Sequence, residues 1–275
     1  MKMKIGKKQF DVEHDCYIMG ILNYTPDSFS DGGKWNNRDR ALRHVADMIE
    51  EGAAIIDIGG ESTRPGHVQI SAQEEIERVV PMIELVKKQF DIPVSVDSYK
   101  GEVVEAALKA GADLVNDIWG FLYDKRVAEL TAAYDVPCCL MHNRHEAVYQ
   151  DFWTDFLSDM KHCLEAAKQA GVKEENIILD PGIGFAKSPE QNLALIHHLD
   201  RLKALGFPVL LGTSRKSTLG YVLDLPVDQR VEATLTTTVF GVQQGASFIR
   251  VHDVKENLRA MRMTQGILRE GKRNG

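Results

Sequence analysis

The 275-residue sequence has the length, composition and charge of a large globular protein. Hydrophobic residues make up 44% of it and charged residues 27%, which are ordinary values, and no apolar run is as long as a membrane span. A net charge of −7 without a Lys/Arg-rich stripe argues against nucleic acid as a partner. The first residues lack the apolar stretch of a signal peptide and the four cysteines form no CxxC pair, so we predict a cytoplasmic protein with buried, reduced thiols and no membrane contact.

Apolar strand patterns alternate with amphipathic helix patterns along the chain. Residues 3–12 are typical of a short hairpin, and residues 17–22 form the first long apolar run. A helical pattern follows at residues 38–51 and a strand pattern at residues 54–58. The alternation continues to the last helix, with capping boxes that begin at Ser71 and Ser188. The helix that begins at Ser188 is predicted to run to Gly206, and residues 208–211 are predicted to be the seventh barrel strand. A glycine stands between a helix and the next strand at Gly52, Gly111, Gly171, Gly206 and Gly245.

Eight strand-then-helix units predict a (β/α)8 TIM barrel that carries a short N-terminal β-hairpin. Apolar strands joined by helices pair in parallel, because the helical crossovers cover both faces of the sheet. A doubly wound open sheet is the alternative, but the loop after the first strand reads NYTPDSFSDGG and has no GxGxxG fingerprint. No linker or low-complexity tract divides the chain, so we predict one domain over residues 1–275.

Polar side chains stand where nearly every predicted strand ends, and the carboxyl ends of barrel strands carry the active site. They are Asn23, Glu61, Arg64, Asp97, Asn116, His142, Asp180, Lys216, Arg250 and His252. Carboxylates and an amide follow the middle strands, whereas cations follow the last two. This order predicts a ligand with a donor-rich heterocycle at one end and a phosphate-type anion at the other.

Each of these residues also has a simpler explanation when it is taken alone. Asp97 and Asp180 could be helix N-caps, although the loop that follows Asp180 fits that explanation poorly. Lys216 and Arg215 could be an exposed pair of cations on the surface. A functional site is favoured because all of these residues are predicted to lie at the same rim of the barrel.

Eight segments of the chain resemble, in order, the signature segments of the dihydropteroate synthase family. They are GILNYTPDSFSDGG, DIGGESTRPG, VSVDSYK, LVNDIWG, LMHNR, ILDPGIGFAKS, LLGTSRKS and FIRVHDV. The resemblance covers nearly the whole chain. Tyr24 departs from the pattern, since a smaller apolar residue is expected there, and it could alter how the first loop packs.

The resemblance implies an enzyme of folate biosynthesis that condenses 6-hydroxymethyl-7,8-dihydropterin pyrophosphate with p-aminobenzoate, releasing 7,8-dihydropteroate and pyrophosphate. It implies a homodimer, Mg²⁺ as cofactor and competition by sulfonamides at the p-aminobenzoate site. The pterin-binding residues would be Asp97, Asn116, Met141, Asp180, Gly212 and Lys216. Asn23 would bind the metal, and the diphosphate would be held by Asn23, Arg64, Arg250 and His252. The p-aminobenzoate site and its loops would include Phe29, Thr63, Arg64, Pro65, Phe185, Lys216 and Ser217.

By this resemblance, Asp97, Lys216, Arg250 and His252 would be the catalytic residues of an SN1-like reaction without a protein nucleophile. Diphosphate would depart first, and Asp97 would stabilise the cation left on the pterin. Three rival functions remain open at this point: a pterin-dependent methyltransferase, a non-catalytic pterin-binding paralogue and a phosphate-binding aldolase barrel. The complete SFSDGG loop and Lys216 in a loop, rather than on a strand, weigh against them.

Overall fold

The computed structural model describes residues 1–25, 34–61 and 69–270, with side chains from residue 37 onward in the second range. A hairpin of β1 (Lys2–Ile5) and β2 (Lys8–Asp11) comes first. The remaining strands are β3 (Tyr17–Asn23), β4 (Ile55–Gly59), β5 (Val94–Asp97), β6 (Leu114–Asp117), β7 (Cys138–Met141), β8 (Ile177–Asp180), β9 (Leu210–Leu211) and β10 (Phe248–Val251). The helices are α1 (Lys34–Glu50), α2 (Ala72–Gln89), α3 (Gly101–Lys109), α4 (Lys125–Tyr134), α5 (Phe152–Ala170), α6 (Pro189–His197), α7 (Leu199–Lys203), α8 (Ser217–Leu223), α9 (Val231–Gln243) and α10 (Val254–Leu268).

The strands β3 to β10 form a single parallel sheet that closes into a barrel. Their order is β8-β7-β6-β5-β4-β3-β10-β9, so the first and last barrel strands are neighbours. A parallel bridge from Leu179 to Val209 and a hydrogen bond of 2.9 Å from the Leu179 N–H to the Pro208 carbonyl join β8 to the start of β9. This arrangement confirms the predicted TIM barrel.

Side chains alternate between the helix-covered outside and the interior of the barrel, as strand geometry requires. The outward residues, such as Ile56, Val115 and Leu179, pack with the helices in the main core. The lowest inward layer packs against the hairpin in a separate cluster, whose buried members are Met3, Ile5, Phe10, Val12, Met19, Ile55, Leu114, Cys139, Ile178, Leu210 and Phe248. The predicted hairpin therefore closes the amino-terminal end of the barrel and leaves the other end for the site.

Both predicted N-caps are confirmed, but only the one at Ser188 is a complete capping box, because the Glu74 side chain binds Arg78 instead of the Ser71 N–H. Ser71 accepts a hydrogen bond from the Glu74 N–H, and Ser188 and Gln191 form a complete reciprocal box at the start of α6. The helix predicted to run to Gly206 is instead divided into α6 and α7, because His198 has φ −116° and ψ 40°, outside helical values. The seventh predicted strand, residues 208–211, is shortened to β9, since its first residue is a proline without an N–H to donate.

None of the helices in residues 34–61 and 69–270 combines the length and apolar character that a bilayer crossing needs. The four cysteines are buried free thiols, as predicted.

Candidate active site

The upper half of the barrel interior is polar, in contrast to the apolar layer above the hairpin. Asp57, Asn116, Asp180 and Arg250 stand two residues beyond the apolar layer on their strands, as do Met141 and Gly212, and Ser95 lies beside Asp57 in the strand register. Strand register places Asp97 beside Asn116 and Met141 beside Asp180. The predicted pterin-binding residues therefore converge at the carboxyl ends of the strands. The floor of the candidate site is formed there by Asp57, Asp97, Asn116, Asp180, Gly212 and Arg250.

Arg250 is the central cation of this floor. Its Nε donates to Asp57 Oδ2 at 2.6 Å and its Nη2 donates to Asp97 Oδ2 at 2.6 Å. Asn116 Nδ2 donates to the same Asp57 oxygen at 3.1 Å. One guanidinium thus holds two carboxylates in place, and the amide of Asn116 completes the network.

Asp57 is a site residue that the sequence interpretation missed. It is fully buried inside β4, between the inward positions of Ile55 and Gly59. Lone buried carboxylates are rare unless they are paired, so a charged residue inside the apolar strand IIDIG was the available signal.

The order of the strands predicted carboxylates and an amide in one half of the site and cations in the other half. In the structure the two kinds of charge are mixed. Arg250 lies among the carboxylates, and Lys216 is close enough to Asp97 and Asp180 to affect the pKa of both carboxyl groups. The reason is closure of the barrel: inward residues from opposite strands meet across a narrow interior, so cations and anions alternate.

Burial sets unusual pKa values on this floor. It raises the pKa of Asp97 to about 7, against the opposing effect of Arg250, and it also raises the pKa of Asp180, against Lys216. Burial lowers the pKa of Lys216 to about 8. For Arg250, burial is outweighed by the Asp57 and Asp97 carboxylates, which raise its pKa above the usual range. Paired groups with shifted pKa values are typical of an active site.

Lys216 reaches the floor from the loop between β9 and α8. Its Nζ donates to the Ile183 carbonyl at 2.5 Å and lies 4.9 Å from the centre of the Phe185 ring. The preceding residue, Arg215, has φ +57°, a left-handed conformation that is uncommon outside glycine. Arg230 Nη1 donates to the carbonyls of Arg215 and Lys216 at 3.1 and 3.2 Å, which stabilises this turn.

An apolar wall faces the charged floor. Tyr99, Ile118 and Met141 form a buried cluster against which Trp119 and Phe185 pack. On the opposite side, a Cβ placed on Gly212 would lie 3.9 Å from Asp180 Oδ2 and 3.8 Å from the Arg250 Cβ, so glycine leaves this part of the floor open. A flat ring with polar edges fits between such a wall and floor.

Asn23 and His252 lie together at the rim. Asn23 Nδ2 is 3.4 Å from His252 Nε2, and His252 Nδ1 is 3.0 Å from the Ser214 hydroxyl. The side-chain oxygen of Asn23, Oδ1, has no hydrogen-bond partner among the described residues. Next to it, Tyr24 continues the strand by donating its N–H to the Gly59 carbonyl at 2.8 Å. The structure therefore accommodates the unexpected tyrosine by packing it partly against the outer core.

Two predicted loops fall outside the described residues, and with them Phe29, Thr63, Arg64 and Pro65. The ends of the second loop are described. Glu61 accepts hydrogen bonds from Lys100 Nζ at 2.5 Å and from the Ile70 N–H at 3.2 Å, and Lys100 Nζ also donates to the Ile70 carbonyl at 2.8 Å. The buried Lys100 therefore joins the two ends of that loop. Ser217 is the first residue of α8, directly after Lys216.

Comparison with known proteins agrees with this geometry. Residues 19–252 match the family described as pterin binding enzyme. The chain is 59% identical over 268 residues to a dihydropteroate synthase of Clostridium beijerinckii, covering 97% of this chain and all of the relative. It superposes with a TM-score of 0.92 on the Clostridium difficile dihydropteroate synthase in the presence of pteroic acid, at 50% identity and covering 94% and 99% of the two chains. The Xanthomonas albilineans dihydropteroate synthase with 4-aminobenzoic acid also has a TM-score of 0.92, at 37% identity with 97% and 98% covered.

A TIM barrel with this floor and this family match is a pterin-binding enzyme. The extent and level of identity are more specific, and the chain belongs to the dihydropteroate synthase family. It is accordingly a transferase of folate biosynthesis, as the resemblance implied.

Proposed function

We propose that the described floor performs the condensation of 6-hydroxymethyl-7,8-dihydropterin pyrophosphate with p-aminobenzoate, with each site residue in the role predicted above. The observation that carries the proposal is the network around Arg250, where Asp57, Asp97 and Asn116 meet opposite an apolar wall. This combination fits a flat, donor-rich ring that carries an anionic leaving group.

The pterin ring would lie between the apolar wall and the polar floor. Asn116 and Asp180 offer hydrogen-bond acceptors to ring N–H groups, and Lys216 has donors to offer to a ring carbonyl. One donor of Lys216 is used by Ile183, and no other acceptor binds it among the described residues. Met141 would pack on the face of the ring.

The diphosphate would lie toward the rim, near Asn23, Arg250 and His252. Nε and one Nη2 donor of Arg250 bind carboxylates, and the described residues provide no acceptor for its Nη1, which leaves donors for phosphate oxygens. Arg64, which we also assign to the diphosphate, lies outside the described residues.

Mg²⁺ fits this rim through Asn23. Mg²⁺ usually keeps several waters and takes one or two protein oxygens together with substrate phosphates, so a complete protein cage is not required. The described residues contain no group of three or more metal-binding side chains, and they do contain the unpaired Asn23 Oδ1 beside His252. When bound, Mg²⁺ would neutralise charge on the departing diphosphate.

The chemistry that follows from these charges is SN1-like. Arg250 and His252 stabilise the diphosphate as its bond to the pterin methylene breaks. Asp97, 2.6 Å from Arg250, faces the positive charge that develops on the pterin. The amine of p-aminobenzoate then attacks the methylene carbon and loses a proton, and no protein nucleophile takes part. Lys216, Ser217 and the Phe185 ring would position p-aminobenzoate together with Phe29, Thr63 and Pro65 of the undescribed loops.

The purified protein is expected to release pyrophosphate only when the pterin pyrophosphate, p-aminobenzoate and Mg²⁺ are all present. A coupled phosphate assay measures the release, and mass spectrometry identifies dihydropteroate. A sulfonamide should reduce the rate competitively with p-aminobenzoate. Pterin binding without release would show that the pocket is right and the proposed reaction wrong.

We also propose a homodimer, because large apolar side chains are exposed on one side of the barrel. They are Leu193, Tyr221, Val222, Leu223, Val227 and Phe240, with exposures from 37% to 60%. They lie on α6, α8, α9 and the turn before α9, and both α8 and α9 pack against α6. Exposed apolar patches of this kind mark association surfaces.

Analytical ultracentrifugation is expected to give twice the mass of one chain. Replacing Val222 with Asp should shift the equilibrium toward the monomer, because the charge would be desolvated in the interface. Tyr134→Asp is the control, since Tyr134 is 41% exposed on α4, which packs against α3 and α5 and lies apart from α6, α8 and α9. A monomer at all concentrations, or equal dissociation by both substitutions, would contradict the proposal.

We further propose, from the sequence, that residues 1–275 form one domain and that the protein is cytoplasmic.

A further inference from the structure

Lys187, in the loop between β8 and α6, belongs to none of the roles above. Its Nζ donates to three backbone carbonyls: Gly182 at 3.0 Å, Phe185 at 2.9 Å and His142 at 3.3 Å. Two of these carbonyls belong to its own loop, and the third follows the end of the neighbouring strand β7. The lysine therefore ties the loop to the next strand of the barrel.

An ammonium group has three N–H donors, and all three of Lys187 are engaged by the backbone. No donor is left for a substrate. Lys216 is different, because a single backbone carbonyl binds it among the described residues. This contrast indicates that Lys187 acts on the loop and not on the ligand.

The loop that Lys187 holds carries the immediate surroundings of Lys216. The Ile183 carbonyl accepts from Lys216 Nζ, and the Phe185 ring lies 4.9 Å from it. The Gly182 N–H donates to Asp180 Oδ1 at 2.7 Å. A shift of this loop would therefore move Lys216 and Phe185 together.

The loop has a shape that local sequence preference does not maintain. Gly182 has φ +68° and lies so close to β7 that a Cβ there would be 2.0 Å from the His142 carbonyl oxygen. Ala186 has φ +42°, a strained value for a residue with a Cβ. Asn192 supports the other side by accepting from the Gly184 N–H at 2.7 Å. Side-chain contacts must maintain this conformation, and Lys187 supplies three of them, two within the loop and one to the His142 carbonyl outside it.

We propose that Lys187 is a positioning residue that fixes the β8–α6 loop so that Phe185 and the Ile183 carbonyl orient Lys216 toward the reacting groups. The inference rests on the proposed role of Lys216 and Phe185 in the p-aminobenzoate site. Pterin binding depends less on the loop, because Lys216 is only one of its proposed contacts and Asp97, Asn116 and Asp180 lie on strands.

The charge of Lys187 is part of this role. The groups that act on it are Asp180 on β8, Lys216 on the β9–α8 loop, Asp159 on α5 and Arg144 on the β7–α5 loop. Burial lowers the pKa of Lys187 to about 7, and Asp180 opposes this effect. As the pH rises through this value, the amine loses one of its three donors, so the loop loses a contact.

Steady-state kinetics on Lys187→Met test the proposal. We expect KM for p-aminobenzoate to rise about 10- to 100-fold, while KM for the pterin pyrophosphate changes by less than about threefold. The matched control is Lys203→Met, because Lys203 Nζ also donates to a backbone carbonyl, that of Gly245 at 2.8 Å, at the opposite end of the barrel. Equal effects on both KM values, or a Lys187→Met variant that behaves like the control, would overturn the proposal.

A pH series provides a readout that a merely structural role would not change. For the wild type, KM for p-aminobenzoate should rise as the pH increases through about 7, while Lys187→Arg, which stays charged, should lack this rise. A flat wild-type profile, or a rise of equal size in Lys187→Arg, contradicts the proposal even if Lys187→Met does not fold. If the wild type releases pyrophosphate in the same assays, such a result counts against the role of Lys187 and not against the proposed reaction.

Discussion

Replacing Asp97 with Asn should lower kcat about 10²- to 10³-fold while KM for the pterin pyrophosphate stays within about threefold of wild type. Asn keeps the size and an oxygen acceptor for the pterin, but it lacks the negative charge that stabilises the cation formed when diphosphate departs. The carboxylate interacts with this cation in the transition state and much less in the ground state. The substitution is therefore expected to lower kcat and to change KM little.

The acid side of the pH profile should report the same carboxylate. Because burial raises the pKa of Asp97 to about 7, lowering the pH through this value adds a proton and removes the useful charge. For the wild type, kcat/KM should therefore fall with decreasing pH around 7, and Asp97→Asn should lose this dependence.

Asp113→Asn is the matched control for Asp97→Asn. The two carboxylates have similar side-chain exposure, 14% for Asp113 and 10% for Asp97, and each forms an ion pair of 2.6 Å. Asp113 precedes β6 and pairs with Lys87, at the amino-terminal end of the barrel. Asp113→Asn should leave kcat nearly unchanged. Near-normal turnover in Asp97→Asn, or equal losses in both variants, would contradict the electrostatic role.

Replacing Arg250 with Met should lower the free energy of unfolding by about 3–5 kcal/mol, in addition to impairing turnover. The substitution removes the cation shared by Asp57 and Asp97. Asp57 is fully buried, and its Oδ1 has no hydrogen-bond partner among the described residues, so Arg250 is its main source of compensation. Breaking a buried pair is costly because a desolvated charge remains.

Urea unfolding followed by circular dichroism measures this difference. Arg269→Met is the comparison, because Arg269 forms an ion pair of 2.6 Å with Asp15 in which the two side chains are 28% and 32% exposed. We expect a loss below about 1 kcal/mol there. Adding Asp97→Asn to Arg250→Met should recover part of the stability, since one unpaired carboxylate is removed. A loss below about 1 kcal/mol for Arg250→Met would mean that the carboxylates do not depend on it.

The fold was largely predictable from the sequence, because its signals are local. The capping box at Ser188 involves residues three apart, and it forms as predicted. The hairpin and the order of strands and helices follow from the alternation of apolar runs with helical patterns. The errors fall where local patterns are weak, as at His198, whose dihedral angles divide a predicted helix, and at the shortened strand β9.

The candidate site was only partly predictable. Residues at strand ends, such as Asp97 and Asp180, were found because the barrel brings strand ends to one rim. Asp57 was missed because it lies within a strand, and only its inward orientation and its contact with Arg250 make it part of the site. Lys187 was missed because its three carbonyl partners come from two separate loops.

The sequence by itself determined the barrel, its plugged end and the rim that carries the polar residues, since strand and helix periodicity and capping act over a few residues. Only the tertiary structure decided which of those residues form ion pairs with one another. Arg250 is 193 residues from Asp57 and 153 residues from Asp97 along the chain, yet it bonds to both. Their contact depends on closure of the barrel, which brings β10 beside β3 and directs the inward side chains of β4, β5 and β10 into one desolvated space. A carboxylate in that space needs a cation beside it, and the pattern of neighbouring residues in the sequence does not show which cation that will be.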